Sequence, residues 1–184
     1  MSVRNIVEWP AQVLKQRCAE VETFDADLHT LVDDMRETMV TADGLGLAAN
    51  QVGVSKRVFV MGIPEDEEGT KTEWFEVINP VITKKSGEQR FEEGCLSFPG
   101  VTEAVVRAET IELTYRDRDG NEVVRELDGI ASVCAQHELD HLDGVTFLDR
   151  LSALKRRLAL RAYTRERRAR KDDERFEALG TIRR

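Results

Sequence analysis

The chain has 184 residues, 41% of them hydrophobic, and a formal net charge of −8. That length fits one domain with enough apolar material for a core, and no apolar run approaches the ~18–20 residues of a membrane-spanning helix. Three cysteines without regular spacing argue against a disulfide framework, and the first ten residues carry Glu8 where a signal peptide would be apolar, so a cytoplasmic protein is expected.

Pro10 to Val21 reads as a short helix or turn, and Cys18 within it as a packing residue. From Asp27 to Ala42 the apolar residues Leu28, Leu31, Val32, Met35 and Met39 recur at helical steps, with Asp25 or Asp27 as cap and His29 as a structural histidine. Asp43 to Gly53 is a glycine-rich link whose Gly44 and Gly46 end the helix and permit close backbone approach. It is not a dinucleotide loop, because the third glycine is missing. Val58 to Met61 reads as a strand, Pro64 to Glu73 as an acidic loop, and Trp74 to Thr83 as a strand interrupted near Asn79-Pro80. Phe91 to Ser97 leads into a Phe98-Pro99-Gly100 turn. Val101 to Asp117 contains period-two alternation in Ile111, Leu113 and Tyr115, and Asp119-Gly120 turns it into a return strand with Val123, Val124 and Leu127.

Helical spacing returns from Gly129 to Leu142, where Ile130, Val133, Cys134, His137, Glu138 and His141 form one inward stripe. Val145 to Leu148 reads as a short extended piece, and Ser152 caps a last helix that is nearly all charge beyond Thr164. Many short, mostly antiparallel strands around a central helix, with a C-terminal helix, give an α+β fold. Residues 1–150 would be the catalytic domain and residues 151–184 a basic helix or tail of the same domain.

Charge is unevenly spread. Residues 1–149 hold 14 Lys/Arg and 30 Asp/Glu, whereas residues 150–184 hold 13 Lys/Arg and 5 Asp/Glu. A basic tail on an acidic body is either a solvated helix end or an interaction segment.

The chemistry centres on His137-Glu138-Leu139-Asp140-His141, which contains two of the three histidines. Residues i and i+4 of a helix share a face, so both imidazoles can reach one metal ion with a carboxylate beside them. A catalytic metal site usually takes three protein ligands and keeps one position for water. Two candidates for the third ligand stand open on the residues alone: Glu166, downstream among arginines, and Cys95, which follows a glycine and precedes a Pro-Gly turn.

Three blocks together resemble the signature of the peptide deformylases. They are Gly44-Leu45-Gly46-Leu47-Ala48-Ala49-Asn50-Gln51, Glu93-Gly94-Cys95-Leu96-Ser97 and Gln136-His137-Glu138-Leu139-Asp140-His141, in the family's order, and the likeness extends over most of residues 1–160. The resemblance implies hydrolytic removal of the formyl group from the initiator formyl-methionine of nascent polypeptides, releasing formate. It implies Cys95, His137 and His141 as metal ligands with water in the fourth position, and Glu138 as general base and then acid. It also implies the Gln51 side chain and the Leu96 backbone N–H as oxyanion donors. Fe²⁺ is the metal it implies, with Zn²⁺, Ni²⁺ or Co²⁺ able to serve; the residues do not select among them.

For the methionine side chain, Leu45, Phe91, Ile130, Val133 and Cys134 are the expected lining, and the backbone at Gly46 and Gly94 would pair with the extended peptide. Some relatives place an arginine after the second block, where Val101, Thr102 and Glu103 stand here. The substrate emerges from a polyanionic ribosome, so the basic C-terminal segment is expected to dock there through phosphate contacts. No membrane is expected as partner, and the protein is expected to be a monomer. Two rival functions compete with this reading: a zinc endopeptidase, which has no use for Cys95 or Gln51, and a catalytically silent ribosome-associated binding protein, which has no use for Glu138.

Overall fold

The computed structural model describes residues 2–66 and 70–181, with side chains as far as Asp172. Helix α1 (Ala26–Thr41) begins where the Asp25 carboxylate accepts from the Leu28 N–H at 3.0 Å, as a cap should. Strands β1 (Gly46–Ala48), β2 (Val58–Pro64) and β3 (Thr72–Ser86) follow, then β4 (Gln89–Gly94), β5 (Thr102–Arg107), β6 (Thr110–Arg116) and β7 (Glu122–Leu127). Helices α2 (Gly129–Leu142) and α3 (Ala153–Thr181) complete the chain. Every strand pairing is antiparallel. One sheet has the order β1-β2-β3-β6-β7, and β4 pairs with β5 in a second, two-stranded sheet.

The first sheet lies between α1 and α2. Phe59, Met61 and Ile63 of β2 pack with Cys134, Ala135 and Leu142 of α2. The alternate residues Val58 and Val60 pack with Leu28, Leu31, Met35 and Met39 of α1. A strand covered on both faces is apolar without alternation, which is why β2 reads as a continuous run. A third cluster joins Ala159 and Tyr163 of α3 to Phe98, Val105, Phe147 and Leu148.

Several sequence expectations need correction. The run from Val101 to Asp117 is two strands in different sheets, because the chain turns at Ala108-Glu109. The glycine-rich link contains β1, which forms because its backbone pairs with β2 in the register Gly46 to Met61. The interruption expected near Asn79-Pro80 is present, as a register shift between Ile78 and Val81 with Asn79 at φ 53°, within a strand longer than expected at both ends. Val145 to Leu148 is not extended throughout, since a 3₁₀ turn spans Phe147–Arg150. Helix α2 is buried almost all round rather than along one stripe, Ser132, Gln136 and Asp140 included.

Candidate metal centre and active site

Three segments converge on α2. The sulfur of Cys95, which follows β4, lies 3.2 Å from His141 Nε2. One ligand atom from each of Cys95, His137 and His141 falls within 4.8 Å of the others, the one such metal-ligating group among the described residues. The imidazole centroids of His137 and His141 are 5.0 Å apart, as a one-turn separation on one face requires. Glu166 is on α3, where its Cγ comes within 2.9 Å of a Cβ built on Gly100, and it takes no part in the group.

Each imidazole has a distinct environment. His137 Nδ1 meets Glu93 Oε2 at 2.8 Å, which leaves Nε2 for the centre. Burial by itself would lower the His137 pKa, but its hydrogen bonds to Cys95 and Glu93 hold it well above the ordinary value. His141 is driven well below the ordinary value by burial, and then by the positive charge of His137 and Arg107, so it is a neutral imidazole with a free lone pair. A thiol beside two imidazoles, one of them neutral and the other directed by a carboxylate, is a donor set that a borderline divalent metal fits.

Glu138 is 3% exposed, and its Oε2 is buried with no hydrogen-bond partner among the described residues. Burial pushes its carboxyl up to about 7, with Glu93 adding to the rise while His137 and Arg107 oppose it. A Cβ built on Gly46 would stand 2.4 Å from Glu138 Oε1 and 2.8 Å from Cys134 Sγ. Glycine at this point of β1 is therefore what lets the strand lie against α2. Burial, with help from Glu138, keeps the Cys134 thiol well above its ordinary pKa, so it is a neutral neighbour outside the ligating group.

Gln51 is oriented from both ends of its amide. Its Oε1 accepts from the Ala48 N–H at 2.9 Å, and its Nε2 donates to Ser97 Oγ at 3.2 Å and toward Cys95 Sγ at 3.5 Å. A donor thus faces the centre with its rotamer fixed. Leu96 follows Cys95 in a turn closed by the Phe98 N–H donating to the Cys95 carbonyl at 2.8 Å.

A cleft of about 370 Å³ opens beside Cys95, lined by Leu45, Gly46, Gly94, Leu96 and Thr102, with Asp43 at its rim. Of the expected substrate contacts it gathers Leu45, Gly46 and Gly94, and Cys134 stands behind Gly46. Phe91, Ile130 and Val133 lie outside its lining. Phe91 is 40% exposed on β4, while Ile130 and Val133 are part-buried and buried on α2. Three supporting residues went unrecognised in the sequence. Asn50 donates to the His141 carbonyl at 2.6 Å, Gln136 holds both backbone groups of Ala108 at 3.0 and 3.1 Å, and Ser97 receives Gln51. All three stand inside the blocks that carry the family resemblance, but nothing in the sequence gave them a role.

A helix that presents two imidazoles and a buried carboxylate, closed by a cysteine from a strand end, defines a metal-dependent hydrolase. The chain belongs to the polypeptide deformylase family, whose model matches residues 3–157. Curated peptide deformylases from Chromobacterium violaceum and Maricaulis maris are each 46% identical to it. They cover 84% and 87% of this chain and 90% and 91% of their own lengths. The crystal structure of a peptide deformylase from Legionella pneumophila superposes with a TM-score of 0.85 at 42% identity, covering 92% of this chain and 98% of that one. The Ehrlichia chaffeensis enzyme in complex with actinonin gives 0.84 at 43% identity, with 90% and 98% covered. The protein is an enzyme of this family, a metal-dependent hydrolase of protein biosynthesis, with the α+β fold expected of it.

Proposed function

We propose that this chain removes the formyl group from formyl-methionyl nascent peptides through a centre held by Cys95, His137 and His141. The observation that carries the reading is the convergence of these three donors beside the buried, unpartnered Glu138 oxygen. Fe²⁺ is the metal we assign, with Zn²⁺, Ni²⁺ and Co²⁺ suited to the same donors. When bound, such an ion supplies a Lewis acid that polarises the formyl carbonyl and acidifies water.

The chain's own residues do the rest. Glu138 accepts the proton of the attacking water at its carboxylate and returns it to the departing amine. Gln51 Nε2, locked by Ala48 and Ser97, and the Leu96 backbone N–H donate to the oxygen that gains charge. The cleft beside Gly46 and Gly94 admits an extended peptide, with Leu45 in its lining and Cys134 behind Gly46 for the methionine end; Phe91, Ile130 and Val133, outside that lining, are assigned to the methionine end on the family resemblance alone. All donors come from one chain, so a monomer suffices, and a cytoplasmic enzyme fits a substrate leaving the ribosome. No described helix is long and apolar enough to cross a membrane. Residues 151–184, as a segment of the same domain, supply the surface that docks on ribosomal RNA.

The test is formate release from formyl-Met-Ala-Ser by anaerobically metal-loaded protein. Glu138→Gln retains one metal per chain but loses turnover by ~10²-fold or more, whereas Cys95→Ala loses the metal, and Glu166→Gln changes neither. Retention of metal by Cys95→Ala, or its loss in Glu166→Gln, would reject the ligand set.

A further inference from the structure

From His137 a chain of alternating charges runs through four elements to the surface at Arg150. The Arg150 Nε donates to Asp140 Oδ2 at 3.0 Å, and its Nη2 pairs with Oδ1. The Arg107 Nη1 donates to the same Asp140 Oδ2 at 2.5 Å. Arg107 then grips Glu93 with both sides of its fork, Nε to Oε1 at 2.7 Å and Nη2 to Oε2 at 2.9 Å. Glu93 Oε2 meets His137 Nδ1 at 2.8 Å. The Glu93 and Arg107 side chains are each 3% exposed and that of Asp140 10%, but the Arg150 side chain is 48% exposed.

Burying ionised groups is costly, and an apolar replacement of equal shape is often as stable, so the chain of charges is poor evidence for stability alone. Its geometry does something an apolar cluster cannot. A planar guanidinium bound at two points fixes the plane of the Glu93 carboxylate. An ionised carboxylate only accepts, so Nδ1 of His137 carries a proton toward Glu93, and Nε2 is the ring nitrogen left for the group it forms with Cys95 and His141. Asp140 is three residues past His137 on α2, so its grip on Arg107 also fixes the rotation of the turn that carries the imidazole.

We propose that Arg150, acting through Asp140, Arg107 and Glu93, is a positioning residue for His137, so that the segment entering α3 sets how firmly the metal is held. This rests on the reading of Cys95, His137 and His141 as the ligand set. Arg150 stands at the surface end of a polar recess of about 420 Å³ that also exposes Lys85, Glu88 and Asp143. The outer end of the chain of charges is therefore open to solvent while its inner end touches a ligand.

The experiment loads wild type, Glu93→Gln, Arg107→Lys and Arg150→Met with Co²⁺. It follows the visible spectrum of the thiolate-bound ion and the rate of Co²⁺ transfer to a chelator, together with kcat and KM on formyl-Met-Ala-Ser. Metal loss is expected to accelerate ~10- to 100-fold in Glu93→Gln and Arg107→Lys, and by about 3- to 10-fold in Arg150→Met, below the range typical of a direct partner. The Co²⁺ bands shift in all three, and kcat falls with KM unchanged. Arg150 is half exposed, so Arg150→Met decides the matter if a buried variant fails to fold. Wild-type spectrum and release rate in Arg150→Met would overturn the role of Arg150. Wild-type behaviour in all three would overturn the whole relay while leaving the ligand set intact. Failure of wild type to take up one Co²⁺ per chain would overturn the ligand set and this proposal together.

Discussion

Gly46 leaves no room for even one methyl group, because the atoms that such a group would strike are the Glu138 carboxylate and the Cys134 sulfur. Both neighbours are buried side chains on a helix packed from all sides, so neither can swing away cheaply. Gly46→Ala should therefore displace the Glu138 carboxylate while leaving the fold in place. The expected result is a fall in kcat of roughly 10²-fold, the scale for a displacement near 1 Å. Formate release would measure it, and an unchanged far-UV spectrum and metal content would show that the protein is folded and loaded. Full activity would mean that Glu138 has slack and that the tightness at Gly46 serves packing alone. Legibility at this scale was uneven. His137, Glu138 and His141 were legible from their spacing on one helix, whereas Cys95 was preferred over Glu166, and Gln51 singled out, only by the resemblance of their blocks to the deformylase signature. For Arg107 the residues alone offer Asp140, Asp143 or Glu93 as partner without choosing among them, because charges in strands and helices ordinarily face water; the structure gives it Glu93 and Asp140 together.

Elements were most legible where local chemistry decides them. Helix α2 runs from Gly129 to Leu142, as its spacing predicted, and the chain turns beyond it at Gly144, φ 73°. The break between β5 and β6 was hard to read because no glycine, proline or asparagine marks it; only Arg107 and Glu109, charged where the alternation calls for apolar residues, stand beside it. The chain turns there because Gln136 of α2 holds both backbone groups of Ala108, a contact from distant sequence. The bulge in β3 lies between these cases, with Asn79-Pro80 marking it. Asn79 adopts φ 53° and its side chain binds Val21 twice, accepting from the N–H at 2.8 Å and donating to the carbonyl at 2.9 Å. Asn79→Ala would lose both bonds and place alanine in the left-handed region, costing about 2 to 4 kcal/mol in urea denaturation. Asn79→Gly should recover only the backbone share. Equal losses in the two variants would show that the side-chain bonds, not the backbone, set the cost.

The molecule as a whole divides its basic tail into two faces. Lys155 pairs with Glu103 at 3.1 Å and Arg156 with Asp149 at 2.8 Å. Arg167 and Arg170 reach Glu8 at 3.4 and 2.8 Å. Together with buried Ala159 and Tyr163, these contacts fasten the first half of α3 to the body. Removing the chain after Leu151 would therefore open the core as well as remove charge, and it cannot test docking cleanly. Arg157, Arg161, Arg165 and Arg168 differ: they are exposed, follow one another at three- and four-residue steps, and have no ion-pair partner among the described residues. They line a groove of about 810 Å³ with Leu151 and Leu160. A fixed row of four free guanidinium groups on an otherwise acidic protein is suited to a phosphate backbone. Replacing all four with glutamine should leave the melting temperature within a few degrees, since surface changes are usually worth less than about 0.5 kcal/mol each. Co-sedimentation with ribosomes should then be lost at moderate salt, and the slope of log affinity against log salt should fall by about three to four. An unchanged slope would place the ribosome contact on another surface and leave this stripe a solvated helix face.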